Sequence, residues 1–168
     1  MINSDLQQQS DLGHTIWVIN GPNLDQLGRR DTSHYGACTL GDIEIACTRY
    51  VKDHAKNHPI HLHWYQSACE GEIIGFIHQA YGVADGLIIN GGAYSHTSLA
   101  IMDALSMLGI PIIEVHLSQI YKREAYRQHS YISKIATGVI AGFRENSYIL
   151  GLQSLITLLS DPLSDSET

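Results

Sequence analysis

Three short runs in this chain are almost purely apolar and rich in β-branched residues. They are Thr15-Ile16-Trp17-Val18-Ile19, Leu87-Ile88-Ile89 and Pro111-Ile112-Ile113, the last continuing through Glu114-Val115. A run with no polar face has nothing to offer water on either side. Such runs read as strands buried on both faces, the mark of a parallel sheet covered by helices. Each run stops abruptly on a polar residue: Asn20, Asn90 and His116. A fourth stretch, Ile60 to Gln66, alternates apolar and polar residues and reads as a strand near a sheet edge. A fifth, Ala136 to Phe143, contains two glycines.

Helical patterns fill the intervals. Thr39 is placed to cap a helix, with Asp42 at the third helical position to complete a capping box. Its expected inner stripe is Ile43, Ala46, Cys47, Tyr50 and Val51, and Asn57-His58-Pro59 ends it. A second helix from about Cys69 to Tyr81 turns Ile73, Ile77, Ala80 and Tyr81 inward. After a turn over Gly91 to Tyr94, a third starts near Ser95 to Thr97. It buries Ile101, Ala104, Leu105 and Leu108 and stops at Gly109. Ser118 caps a short polar helix through Arg127, and a last helix carries Tyr148, Leu152, Leu155, Ile156 and Leu159 on one face.

Five β-α units with right-handed crossovers give an α/β, flavodoxin-like three-layer sandwich. Its five-stranded parallel sheet is expected in the order 2-1-3-4-5. One domain is expected over residues 15–159, between disordered tails at 1–14 and 160–168 that are rich in Ser, Asp and Gln. The net charge of -7 argues against a nucleic-acid partner and against an anionic membrane surface. No apolar stretch reaches the roughly 18 residues that span a bilayer, and Met1 to Gly13 lacks the pattern of a signal peptide. Cys38, Cys47 and Cys69 form no C-x-x-C pair, which suggests reduced thiols and a cytoplasmic protein.

In such a sheet, ligands gather beyond the carboxyl ends of the strands. The polar residues there are the candidates. Glu114 and His116 are two apart on a strand and share a face. A carboxylate beside an imidazole fixes its tautomer and favours its charged form, which suits a general acid. The alternative is a core histidine satisfied by an ion partner. The connection Leu27 to Gly36 is long for a βα loop and carries Arg29, Arg30 and Tyr35. A guanidinium beside a phenol favours the phenolate, so Arg30 with Tyr35 is a sensible general base. A solvated loop with an anchoring aromatic is the plainer reading. Ser118 at a helix start offers an anion site, within reach of Arg127. His61 and His63 lack a third ligand for a metal, and no P-loop, G-x-G-x-x-G or nucleophile elbow is present. Cys69 reads as a small buried thiol.

Together, several motifs resemble the type II 3-dehydroquinate dehydratases. They are Ile19-Asn20-Gly21-Pro22-Asn23-Leu24, Leu27-Gly28-Arg29-Arg30, Tyr35-Gly36, Gln66-Ser67 with Glu70-Gly71-Glu72, and Ile77-His78-Gln79-Ala80. Then come Ile89-Asn90, Gly92-Ala93-Tyr94-Ser95-His96-Thr97-Ser98, Asp103-Ala104, Pro111 to Ser118, Arg123-Glu124, Arg127, His129 to Ser133 and Ala136 to Ile140. The resemblance covers roughly Ile16 to Leu159. It implies anti elimination of water from 3-dehydroquinate, through an enolate, to 3-dehydroshikimate in the shikimate pathway, without a Schiff base, metal or cofactor.

The resemblance also implies a division of labour. Tyr35 would take the C2 proton and Arg30 would keep it ionised. Asn23 would stabilise the enolate through a water. His116 would protonate the leaving hydroxyl, oriented by Glu114. Asn90 and the backbone at Leu117 and Ser118 would hold the carboxylate and C1 hydroxyl, and His96 and Arg127 the ring hydroxyls. Asp103 would reach in from a neighbouring subunit of a homo-oligomer, a dodecamer of trimers. Asn20 is left as a turn-forming residue. The chain departs from the family at Ala68-Cys69, Met102 and Asp31-Thr32. The first two bear on subunit contacts and the third on closure of the loop. The competing class of function is a non-catalytic flavodoxin-like binding or regulatory domain. That reading would expect Arg30, Tyr35 or His116 to be missing.

Overall fold

The computed structural model of the chain describes residues 13–29, 38–55 and 59–160. Arg30, Asp31, Thr32 and Tyr35 lie outside the described residues, as do the two expected tails apart from Gly13, His14 and Ser160. Five strands, β1 (His14–Asn20), β2 (Ile60–Gln66), β3 (Gly86–Asn90), β4 (Ile112–His116) and β5 (Gly138–Ala141), form one sheet. All neighbours are parallel and the order is β2-β1-β3-β4-β5, as expected. Among the described residues four α-helices accompany them: α1 (Leu40–His54), α2 (Glu70–Ala80), α3 (Leu99–Ser106) and α4 (Asn146–Ser160). None is long and apolar enough to cross a membrane.

The strand alternation divides the core in two. Ile16, Val18, Ile88, Ile113 and Val115 face α1 and α4, where they meet Ile43, Cys47, Tyr148, Leu152 and Leu155. Trp17, Ile19, Leu87, Ile89 and Ile112 face α2 and α3, against Ile73, Ile77, Ile101 and Leu105. Burial pushes the Cys47 thiol up to about 12, so it packs as a neutral apolar group. Glu114 and His116 are in phase with Ile112, so the alternation turns them to the α2/α3 side.

The capping box forms: Thr39 Oγ1 accepts from Asp42 N at 3.1 Å, and Asp42 Oδ2 accepts from Thr39 N at 2.9 Å. Other local expectations need correction. No helix starts at Ser95 to Thr97. A 3-10 turn over Gly92–His96 comes first, and α3 begins at Leu99, where Ser98 Oγ accepts from Ile101 N. No α-helix follows Ser118 either. That segment makes two 3-10 turns, Ile120–Lys122 and Ala125–Arg127, with extended backbone at Arg123 and Glu124. Of the residues in these two turns, Ile120 alone is buried, too little for a helical stripe to pack on. Strand β5 spans only Gly138–Ala141, shorter than the apolar run. On the helices, Ala46 and Tyr81 are exposed, not inward. Cys69 is exposed as well: it precedes α2, and its N–H donates to Ser67 Oγ.

Strands β1 and β3 end side by side, with Asn20 paired to Asn90. The chain leaves both on glycine. Gly21 N donates to Asn90 O at 2.8 Å, and a Cβ at Gly21 would lie 2.4 Å from Gly91 O. That contact is backbone on backbone, with no flexible side chain to yield. Gly21→Ala is expected to cost at least ~2 kcal/mol of stability by overpacking. A urea midpoint unchanged from the parent would contradict this close approach.

Candidate active site

A cavity of about 370 Å³ opens beyond the carboxyl ends of β1, β3 and β4. Its wall brings together Asn23, Asn90, His96, His116, Leu117, Ser118 and Arg127, seven of the residues expected from the sequence. Pro22, Leu24, Leu27, Ala93 and Ile120 supply apolar surface. No lysine lines it among the described residues.

His116 and Glu114 are bonded on the buried face of β4. His116 Nε2 lies 2.8 Å from Glu114 Oε1. The carboxylate is fully buried and sits behind the imidazole, not in the cavity wall. Ser130 Oγ donates to Oε1 at 2.5 Å, and Ser133 Oγ donates to Oε2. Burial pushes the Glu114 carboxyl up. The hydrogen bond and charge of His116, with the two serine hydroxyls, outweigh that and hold it below its ordinary value. Glu114 is therefore a carboxylate at neutral pH and keeps the ring in one orientation. With Nε2 committed to Glu114, the second ring nitrogen is the one left for a ligand. Ser130 and Ser133 were legible only as part of a motif; the turn over Ile132–Lys134 is what brings them to the carboxylate.

The sign of this interaction fixes its pH dependence. A carboxyl held low in the fold stabilises above its ordinary value near ~4.3. That stability is lost as pH falls through the lower folded value. Glu114→Gln is expected to cost about 2 kcal/mol at pH 7, and the gap from the parent should narrow as the pH falls below 4. Chemical denaturation at several pH values checks this; a gap that widens in acid would refute it.

His96 stacks near His116, with ring centroids 6.1 Å apart and planes 11° from parallel. Its Nδ1–H donates to the His129 carbonyl at 2.6 Å. Burial pushes its pKa below the ordinary imidazole range. The His129 bond opposes this, while the charges of His116 and Arg127 reinforce it. A neutral His96 offers Nε2 as an acceptor, which suits a ligand hydroxyl.

Arg127 Nε sits 3.3 Å from Glu124 Oε2, off the line of a hydrogen bond. Arg123 also lines the cavity, with Nη1 3.5 Å from Ser118 Oγ. The sequence offers Arg123 only within the Arg123-Glu124 motif, and its extended backbone brings it to the cavity. Ser118 thus lies beside an arginine and not at a helix N-terminus. Asn23 has left-handed backbone, φ 67°, and its side chain does not cap the following 3-10 turn. Asp103 is exposed on α3, away from the cavity wall. His61 and His63 are exposed on edge strand β2, and no metal-binding cluster occurs among the described residues.

Asn20 is not a turn residue. It is the last residue of β1, fully buried, and bonded to Tyr65 and Tyr148. The sequence pattern places Tyr148 only on the apolar face of the last helix.

A flavodoxin-like sheet with a buried carboxylate–imidazole pair at a strand end, and two arginines in the turns beyond it, is an enzyme scaffold for a small molecule. The family described as dehydroquinase class II matches residues 14–156. A 3-dehydroquinate dehydratase of Gloeothece citriformis is 48% identical over 146 residues, 87% of this chain and 93% of its own. One from Bartonella henselae is 48% identical over 141 residues, 84% of this chain and 93% of its own. The crystal structure of a type II dehydroquinase from Butyrivibrio crossotus aligns with TM-score 0.81 and 38% identity, covering 86% of this chain and 99% of that one. The chain belongs to the class II dehydroquinase family.

Proposed function

We propose that the chain is a 3-dehydroquinate dehydratase, a hydro-lyase that forms 3-dehydroshikimate by anti elimination through an enolate. The observation that carries this reading is the cavity wall: Asn23, Asn90, His96, His116, Ser118 and Arg127 converge on one pocket, with Glu114 bonded behind His116. Proton abstraction beside a ketone needs a base, an acid for the leaving hydroxyl and donors toward the enolate oxygen. His116 is the acid, and Glu114 orients it. Asn23 faces the enolate through a water. Asn90, with the backbone at Leu117 and Ser118, takes the carboxylate and C1 hydroxyl, and His96 and Arg127 take the ring hydroxyls. The base is Tyr35, kept ionised by Arg30; both come from the family motif.

The same reading implies a homo-oligomer, trimers assembled into a dodecamer, in which Asp103 serves a neighbouring cavity. Its exposed position on α3 is in keeping with that role. A place in the shikimate pathway and a cytoplasmic location complete the reading, the latter in line with three free cysteines.

With no lysine in the described wall, a Schiff-base route has no amine there. The test is to treat the protein with borohydride in the presence of 3-dehydroquinate, then assay loss of water by mass spectrometry. Undiminished dehydration is expected. Inactivation by borohydride with a covalent adduct would overturn the assigned chemistry.

A further inference from the structure

Behind Asn90 runs a chain of hydrogen bonds whose two ends are backbone groups. Asn20 Nδ2 donates to the Tyr65 carbonyl at 3.0 Å. Tyr148 OH donates to Asn20 Oδ1 at 2.6 Å. Asn90 Nδ2 donates to Tyr148 OH at 3.0 Å, and Gly92 N donates to Asn90 Oδ1 at 3.3 Å. A carbonyl only accepts and a backbone N–H only donates, so the two ends set the direction of every link. Turning the Asn90 amide over would set two oxygens together at Tyr148, whose one hydrogen is already given to Asn20. It would also set two donors together at Gly92. Asn20, Asn90 and Tyr148 are all buried, so water cannot relieve the clash at Tyr148. Burial also pushes the Tyr148 phenol up, so it keeps its proton.

We propose that Tyr148 is a positioning residue that locks the Asn90 amide with an N–H toward the cavity, so that this corner accepts an acceptor group such as a carboxylate. The amide has two N–H groups; one goes to Tyr148, and the other is left for a ligand. The proposal deepens the dehydratase reading and rests on it for the identity of the ligand. It makes a helix on the far side of the sheet part of substrate recognition.

Tyr148→Phe removes only the hydroxyl. The Asn90 amide then loses one of the two partners that fix its direction and keeps only the weaker one, Gly92 N at 3.3 Å. KM for 3-dehydroquinate is expected to rise about tenfold, with kcat changed less than about threefold, the pattern of lost uniform binding. In an Asn90→Ala background the same substitution should move KM less than about twofold, because Tyr148 acts through Asn90. An unchanged KM in folded Tyr148→Phe, or an equal rise in both backgrounds, would overturn the proposal. Neutron diffraction on the wild-type protein decides the polarity without any variant. Deuterium on Asn90 Nδ2 toward Tyr148, and on Tyr148 toward Asn20, is expected; the reverse placement would sink the idea. Absence of wild-type turnover would count against the dehydratase reading, while the deuterium positions would still settle the lock.

Discussion

Tyr35→Phe is expected to lower kcat by about three orders of magnitude or more while leaving the fold intact. General base catalysis contributes typically ~10²–10⁴-fold, and this substitution removes the only atom of Tyr35 that can accept the proton. The ring remains, so the change in side-chain volume is small. If Arg30 stabilises the phenolate as proposed, Arg30→Ala should act in the same direction. The two effects should not add, because both act on one group. Circular dichroism and the urea midpoint should match those of the parent. Substantial turnover by folded Tyr35→Phe would remove Tyr35 from its role.

His116→Ala should be nearly as damaging, with kcat reduced about 10³-fold. The hydroxide leaving group is poor without a proton, and the carboxylate that remains cannot supply one. Glu114 stays bonded to Ser130 and Ser133 and sits behind the missing ring, outside the cavity wall. The variant should also lose stability, since Glu114 is left buried without its imidazole partner. Comparing kcat at a temperature where the variant is folded separates the two losses. Near-normal kcat would refute the assignment of His116 as the acid.

The strands and their order were legible because parallel strands carry their burial on both faces. Leu87-Ile88-Ile89 cannot be satisfied on a sheet surface, and one polar stop after each run marked the ligand end. The Glu114–His116 pair followed from two-residue periodicity alone. What failed was decided at longer range. The segment after Ser118 has helix-forming residues but only Ile120 to bury, so two 3-10 turns replace the expected helix. Asn20 looked like a turn residue because a single Asn after a strand usually is one. Its partner Tyr148 lies 128 positions away and sits on an apolar helical stripe. No local pattern separates a tyrosine that merely fills space from one that aims an amide. Arg123 was hidden for a similar reason: extended backbone between two turns brings it to the cavity, and no helical period predicts that.

The ultraviolet absorbance of the conjugated enone tests the central claim most directly. Purified protein mixed with 3-dehydroquinate should give an absorbance rise that saturates with substrate and is lost in Tyr35→Phe. No rise from folded wild-type protein would contradict the dehydratase assignment and favour a non-catalytic flavodoxin-like domain.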